Sequence, residues 1–176
     1  MSPLPKAVSQ VDVWQLARKG ETLQGVFALS GCARLLEGML AQPVDRVVEW
    51  SLAGQTGSLG QQWLTLQAHA QVTLQCQRCL SQFDLQLRVD TRVQLVSNEE
   101  ELEADGADED PDTPDRLLGS THFDVHALVE DELILALPYV PKHEVCPSLP
   151  KALVEAHGTD TRRASPFAVL ADLKKD

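Results

Sequence analysis

Two short motifs bring the same chemistry to separate parts of the chain. Cys76-Gln77-Arg78-Cys79 sets two thiols three positions apart, and His143-Glu144-Val145-Cys146 supplies an imidazole and a third thiol much later. Three thiolates and one imidazole form a ligand set that tetrahedral zinc accepts without geometric strain. Two readings follow: a zinc site made of Cys76, Cys79, His143 and Cys146, or an unmetallated thiol cluster. Thioredoxin-type redox chemistry fits less well, because it wants its first thiol at a helix N-terminus. The remaining thiol, Cys32, reads as a small core residue. Four cysteines so placed are too few and too uneven for a disulfide scaffold.

Positioning the first motif falls to the segments around it. Over residues 64–76 the even positions (Leu64, Leu66, Ala68, Ala70, Val72, Leu74, Cys76) are apolar or thiol, and the odd ones are polar. Over residues 83–95 the odd positions Phe83, Leu85, Leu87, Val89, Val93 and Leu95 are apolar, interrupted by Thr91. Alternation of this kind marks strands with one buried face. Their adjacency predicts a long antiparallel hairpin with residues 76–81 as its turn. Residues 22–29 read as a first strand and residues 46–53 as another, with Gly54 to Ser58 turning into the hairpin.

Ser30 is a candidate N-cap for a helix over residues 32–40. Asp124 caps a second helix over residues 125–137, stopped by Pro138. On that helix Glu130 and Asp131 are expected to face outward, Glu132 to meet an intramolecular base, and the last turns to be deeply buried. The fold class predicted is α+β: an antiparallel sheet of at least four strands with a long hairpin, packed by one or two helices. All 176 residues are expected to form one domain with an acidic, disordered loop over 98–118 and a partly flexible tail over 147–176.

That loop dominates the charge. Between positions 99 and 115 lie ten carboxylates and no Lys or Arg, so most of the formal −11 sits there and the rest of the chain is near neutral. Its bland role is solvation; the sharper one is a mimic of nucleic-acid phosphate. The first residues carry no apolar targeting run, and no stretch is long and apolar enough for a membrane span, which predicts a cytoplasmic protein. No phosphate-cradling Gly loop, nucleophile elbow or convergent carboxylate pair is present, so an enzyme is not expected.

Leu74 to Cys79, the run Val129-Glu130-Asp131-Glu132-Leu133-Ile134-Leu135-Ala136-Leu137-Pro138, Pro141-x-His143 with Cys146, and Pro166-Phe167-Ala168-Val169-Leu170 with Leu173-Lys174 occur in that order. Together they resemble the YceD family of large ribosomal RNA subunit accumulation proteins. The resemblance implies a non-catalytic role in synthesis, processing or stability of 23S ribosomal RNA, with ribosomal RNA or a ribosome-assembly protein as partner. For such contact the residues available are Arg78, Arg88 and Arg92 of the hairpin and Phe167 of the tail. The alternatives are a protein-binding adaptor using the acidic arm and the apolar C-terminal segment, or a structural zinc-binding module.

Overall fold

The computed structural model describes residues 10–103 and 114–147. Five strands form one sheet in the order β1-β2-β3-β4-β5: β1 Thr22–Ala28, β2 Val47–Thr56, β3 Gln62–Gln75, β4 Gln82–Val96 and β5 Arg116–Leu118. The first four pair antiparallel in chain order, and the short β5 joins β4 in parallel. The expected hairpin is present at full length, Gln62 pairing with Leu95 and Gln75 with Gln82.

The alternation seen in the sequence separates the two faces of this sheet. Val48, Trp50 and Leu52 of β2, the even positions of β3, and Leu87, Val89, Val93 and Leu95 of β4 are buried in one core. Helix α1 (Val13–Lys19) and helix α3 (Val125–Leu135) both pack on that face. Gln67, His69, Gln71, Gln86, Arg88 and Asp90 stand exposed on the other. Gly54 is required where α1 crosses β2, because a Cβ there would collide with the backbone of Leu16 and Ala17. Thr91 breaks the alternation for a reason: its hydroxyl donates to the Glu132 carboxylate of α3 at 2.7 Å.

Several local expectations are corrected. Residues 10–20, a short mixed segment by sequence, carry a regular helix, with the Asp12 carboxylate accepting from Gln15 N–H at 2.9 Å and Gly20 closing it at φ 64°. No α-helix forms over residues 32–40: a short 3₁₀ turn, Leu29–Gly31, leads into irregular turns. The Glu130 carboxylate takes the N–H groups of Arg34 (2.7 Å) and Leu35 (3.1 Å) that a helix would have bonded to its own preceding turn. Glu130 is therefore buried and does not face outward, while Asp131, exposed, pairs with the Arg34 guanidinium. Arg34 thus meets Glu130 and Asp131, whereas Glu132 meets the Thr91 hydroxyl. The helix end is also less enclosed than expected, Leu135 being exposed and Ile134 and Leu137 half-buried.

Within the acidic segment, helix α2 (Glu99–Glu103) and β5 are ordered elements at its two ends. Residues 104–113, the tail from residue 148 onward and with it Phe167 lie outside the described residues.

Candidate metal centre

The hairpin tip is shaped by its backbone. Cys76 N–H donates to Ser81 C=O (2.9 Å), extending the ladder beyond β3 and β4, and Leu80 N–H donates back to Cys76 C=O (2.8 Å). Leu80 sits in the left-handed region at φ 61°, an uncommon conformation for a bulky non-glycine residue, which reverses the chain just after Cys79. The reversal aims both thiols of the motif at one point.

The second half arrives from α3. Pro138 and Pro141 keep the chain out of helix, and Gln77 N–H donates to Pro141 C=O at 2.9 Å, docking this irregular segment onto the tip. The Phe83 ring lies against the His143 imidazole at 4.7 Å between centroids. Arg78 crosses the junction: Nε donates to Cys146 Sγ at 2.9 Å and a terminal nitrogen donates to His143 C=O at 2.9 Å.

These contacts bring together the four residues singled out by type and spacing. The ligand atoms of Cys76, Cys79, His143 and Cys146 all lie within 4.8 Å of one another, a group able to hold a metal ion. Cys76 Sγ is 3.7 Å from Cys146 Sγ, and Cys79 Sγ is 3.4 Å from His143 Nδ1. A tetrahedral zinc with bonds of about 2.3 Å to sulfur and about 2.0 Å to nitrogen needs edges of roughly 3.8 and 3.5 Å. The donor set and its spacing fit. Cys76 and Cys146 are buried, and Cys79 and His143 are partly so.

The electrostatics favour ligation by the two thiols of the hairpin tip. Burial opposes ionisation of Cys76, but backbone hydrogen bonds from His143, Arg78 and Cys79 outweigh it and hold the thiol at about 5. A hydrogen bond from the Ser81 hydroxyl lowers Cys79. Burial raises Cys146 despite Arg78, and the hydrogen bond to Cys76 raises His143. Thiolates at this tip are stabilised by donors already in place.

Of the other residues singled out, Arg78 is built into the site, while Arg88 and Arg92 sit on the open sheet face. Arg88 pairs across from His69, and the Arg92 guanidinium lies over the Trp63 ring at 4.4 Å. Sequence reasoning missed the Arg92–Trp63 stack, although the cross-strand offset of the two positions would have found it. It also missed the Phe83 and Gln77 contacts that seat His143.

A family model described as large ribosomal RNA subunit accumulation protein YceD matches residues 64–174, from the start of the long hairpin onward. A protein of that name from Haemophilus influenzae (strain ATCC 51907 / DSM 11121 / KW20 / Rd) is 34% identical over 117 residues, covering 59% of this chain and 60% of the relative. The chain thus matches about three fifths of that relative's length. No solved structure matches. With both thiol motifs, α3 and most of the sheet inside the matched span, the chain belongs to the YceD family.

Proposed function

We propose that this protein is a non-catalytic cytoplasmic factor that supports accumulation of 23S ribosomal RNA during large-subunit biogenesis, working as one domain in contact with ribosomal RNA or a ribosome-assembly protein. The observation that carries this reading is the family match, whose span includes both halves of the thiol site. No helix among the described residues is long and apolar enough to cross a membrane, which fits a factor working at the ribosome.

In this reading Cys76, Cys79, His143 and Cys146 hold one zinc ion. Zinc with four protein ligands keeps no open position, so what it supplies is a cross-link between the hairpin tip and the segment after α3. Arg88 and Arg92 are the proposed RNA contacts on the sheet, where the Trp63 ring backs the Arg92 guanidinium and neighbouring glutamines offer amides to sugars and bases. Arg78 acts from the tip, and Phe167 is assigned to partner contact from its apolar tail segment. Charges on the sheet face are balanced, Glu49, Asp84 and Asp90 standing among Arg46, Arg88 and Arg92. Contact there depends on hydrogen bonding more than on bulk attraction to phosphate.

A protein partner is the second reading, and the tip favours it: Leu80 is 68%, Val145 75% and Tyr139 98% exposed, beside or near the ligands. Where such exposed apolar groups gather into one patch, they suit a protein contact. A strain lacking the gene tests the first reading. Its 23S to 16S ribosomal RNA ratio should fall and be restored by the parent chain, but less by an Arg88→Ala, Arg92→Ala double variant. An unchanged ratio in the deletion strain would refute the role. Capture experiments with and without RNase separate the two partners, since loss of capture on RNase treatment supports direct RNA contact and resistance supports a protein.

A further inference from the structure

The sheet ends on one side at β1, and the way this strand pairs decides what its outer edge offers. Gly54 N–H donates to Glu21 C=O at 2.9 Å, and Leu29 N–H donates to Arg46 C=O at 2.9 Å. Both bonds continue the register that pairs Thr22 with Ala53 and Ala28 with Val47, so the odd residues bond toward β2. Ladder alternation then turns the N–H and C=O groups of Thr22, Gln24 and Val26 away from the sheet. Among the described residues no hydrogen bond reaches them.

An edge left this way is ordinarily blunted by lysine, proline, a bulge or a covering element. The strand Thr-Leu-Gln-Gly-Val-Phe-Ala contains no charge and no proline, and it pairs with β2 residue for residue. On the core side Leu23 and Phe27 are only half-buried against the cluster, so apolar surface continues up to the edge. The strand lies before the matched span of the family, in a part of the chain that the metal site does not use.

We propose that this edge pairs with the same edge of a second copy, antiparallel, about a two-fold axis through Gly25. The sequence of the strand is complementary to itself in that register. Gln24 of each copy bonds Val26 of the other, Thr22 meets Ala28, and Leu23 of one copy lies beside Phe27 of the other on the core side. No like charges face each other. Gly25 stands at the axis, where facing strands come closest in a non-hydrogen-bonded pair. A Cβ at this position would meet Trp50 Cζ2 at 2.8 Å, so the bare glycine lets each Trp50 ring remain over its own strand at the junction. A seven-residue strand pair is small beside the roughly 1,200 to 2,000 Å² of a standard interface, so the dimer is a weak, reversible one with a dissociation constant of micromolar order.

Sedimentation velocity of the full chain from about 1 to about 300 µM, a span bracketing that affinity, tests this directly. The parent should pass from monomer to dimer across the range. Gln24→Pro removes an outward donor while leaving the ladder to β2 intact, and should stay monomeric throughout. Val26→Lys adds an edge charge without touching the backbone, and should also stay monomeric with an unchanged melting temperature, which covers the case of a proline variant that fails to fold. The Gln24 and Val26 amides should be protected from hydrogen exchange only at high concentration. A parent that is monomeric at every concentration would overturn the proposal. So would a dimer that survives Val26→Lys, or protection of both amides at every concentration, which would mean that the chain covers its own edge.

Discussion

Replacing Glu130 with alanine should be among the most damaging single changes in the molecule, although the residue touches neither the candidate metal centre nor the open face. Its side chain is 7% exposed, and one carboxylate oxygen accepts from the N–H groups of Arg34 and Leu35 while the other accepts from Arg34 Nε at 3.1 Å. Alanine leaves those two backbone donors without an acceptor in a largely dry place, at about 1 to 3 kcal/mol each. The exposed Arg34 guanidinium recovers its solvation and adds little. The total is about 2 to 6 kcal/mol, set by the two stranded backbone donors and not by the half-exposed guanidinium. For a chain of this size that is a fall of roughly 10 °C in Tm.

Glu130→Gln keeps an acceptor oxygen and should cost about half as much, and Arg34→Ala less again, because its partner keeps both backbone donors. The pH dependence carries a further signature. Burial pushes the Glu130 carboxyl up, but the Leu35 and Arg34 N–H groups and the guanidinium more than offset it, so its folded pKa lies below the usual 4.5. A depressed carboxylate contributes stability that is present above its unfolded pKa and is lost as pH falls through the folded one. The gap in unfolding free energy between parent and Glu130→Gln, measured in urea, should therefore hold at pH 7 and narrow below about pH 4.5. A Glu130→Ala variant within 1 kcal/mol of the parent, or a gap to Glu130→Gln that is flat down to pH 3, would refute the reasoning.

Two further substitutions probe the packing that positions the site. Leu133→Asp places an unpaired charge at a fully buried position of α3 and should leave the protein insoluble or without a cooperative melt. Gly54→Val pushes a branched side chain into the backbone of α1 and should cost about 3 kcal/mol or more, read as a drop in urea midpoint at constant slope, whereas Gly57→Val, in the following turn, should cost less.

What the sequence disclosed and what it withheld divide along the range of the interactions. Alternation over residues 64–95 is a local pattern with one buried face, and it delivered the hairpin, its register and the tip that carries Cys76 and Cys79. The four candidate ligands were recognisable because zinc chemistry restricts residue types so narrowly that type and spacing suffice to nominate them. The turns over residues 32–40 were not recognisable, because a carboxylate from α3, far along the chain, takes the N–H groups that local propensity assigns to a helix. Tertiary bonding of that kind leaves no local mark. Helix α1 is the opposite case: Asp12 and Gly20 are both ordinary capping residues, and only the shortness of the apolar pattern between them hid the helix. The same long-range logic explains Thr91, a polar residue on the apolar face whose partner Glu132 belongs to another element.

Native mass spectrometry of freshly purified, reduced full-length protein tests most directly whether the hairpin tip and the segment after α3 form one closed metal site. The intact chain should carry one zinc ion, lose it to a thiol-modifying reagent, and appear largely metal-free with a lowered Tm as the Cys79→Ser variant. A parent chain without zinc under these conditions, or a Cys79→Ser variant that keeps a full equivalent, would contradict the assignment of Cys76, Cys79, His143 and Cys146 as its ligands.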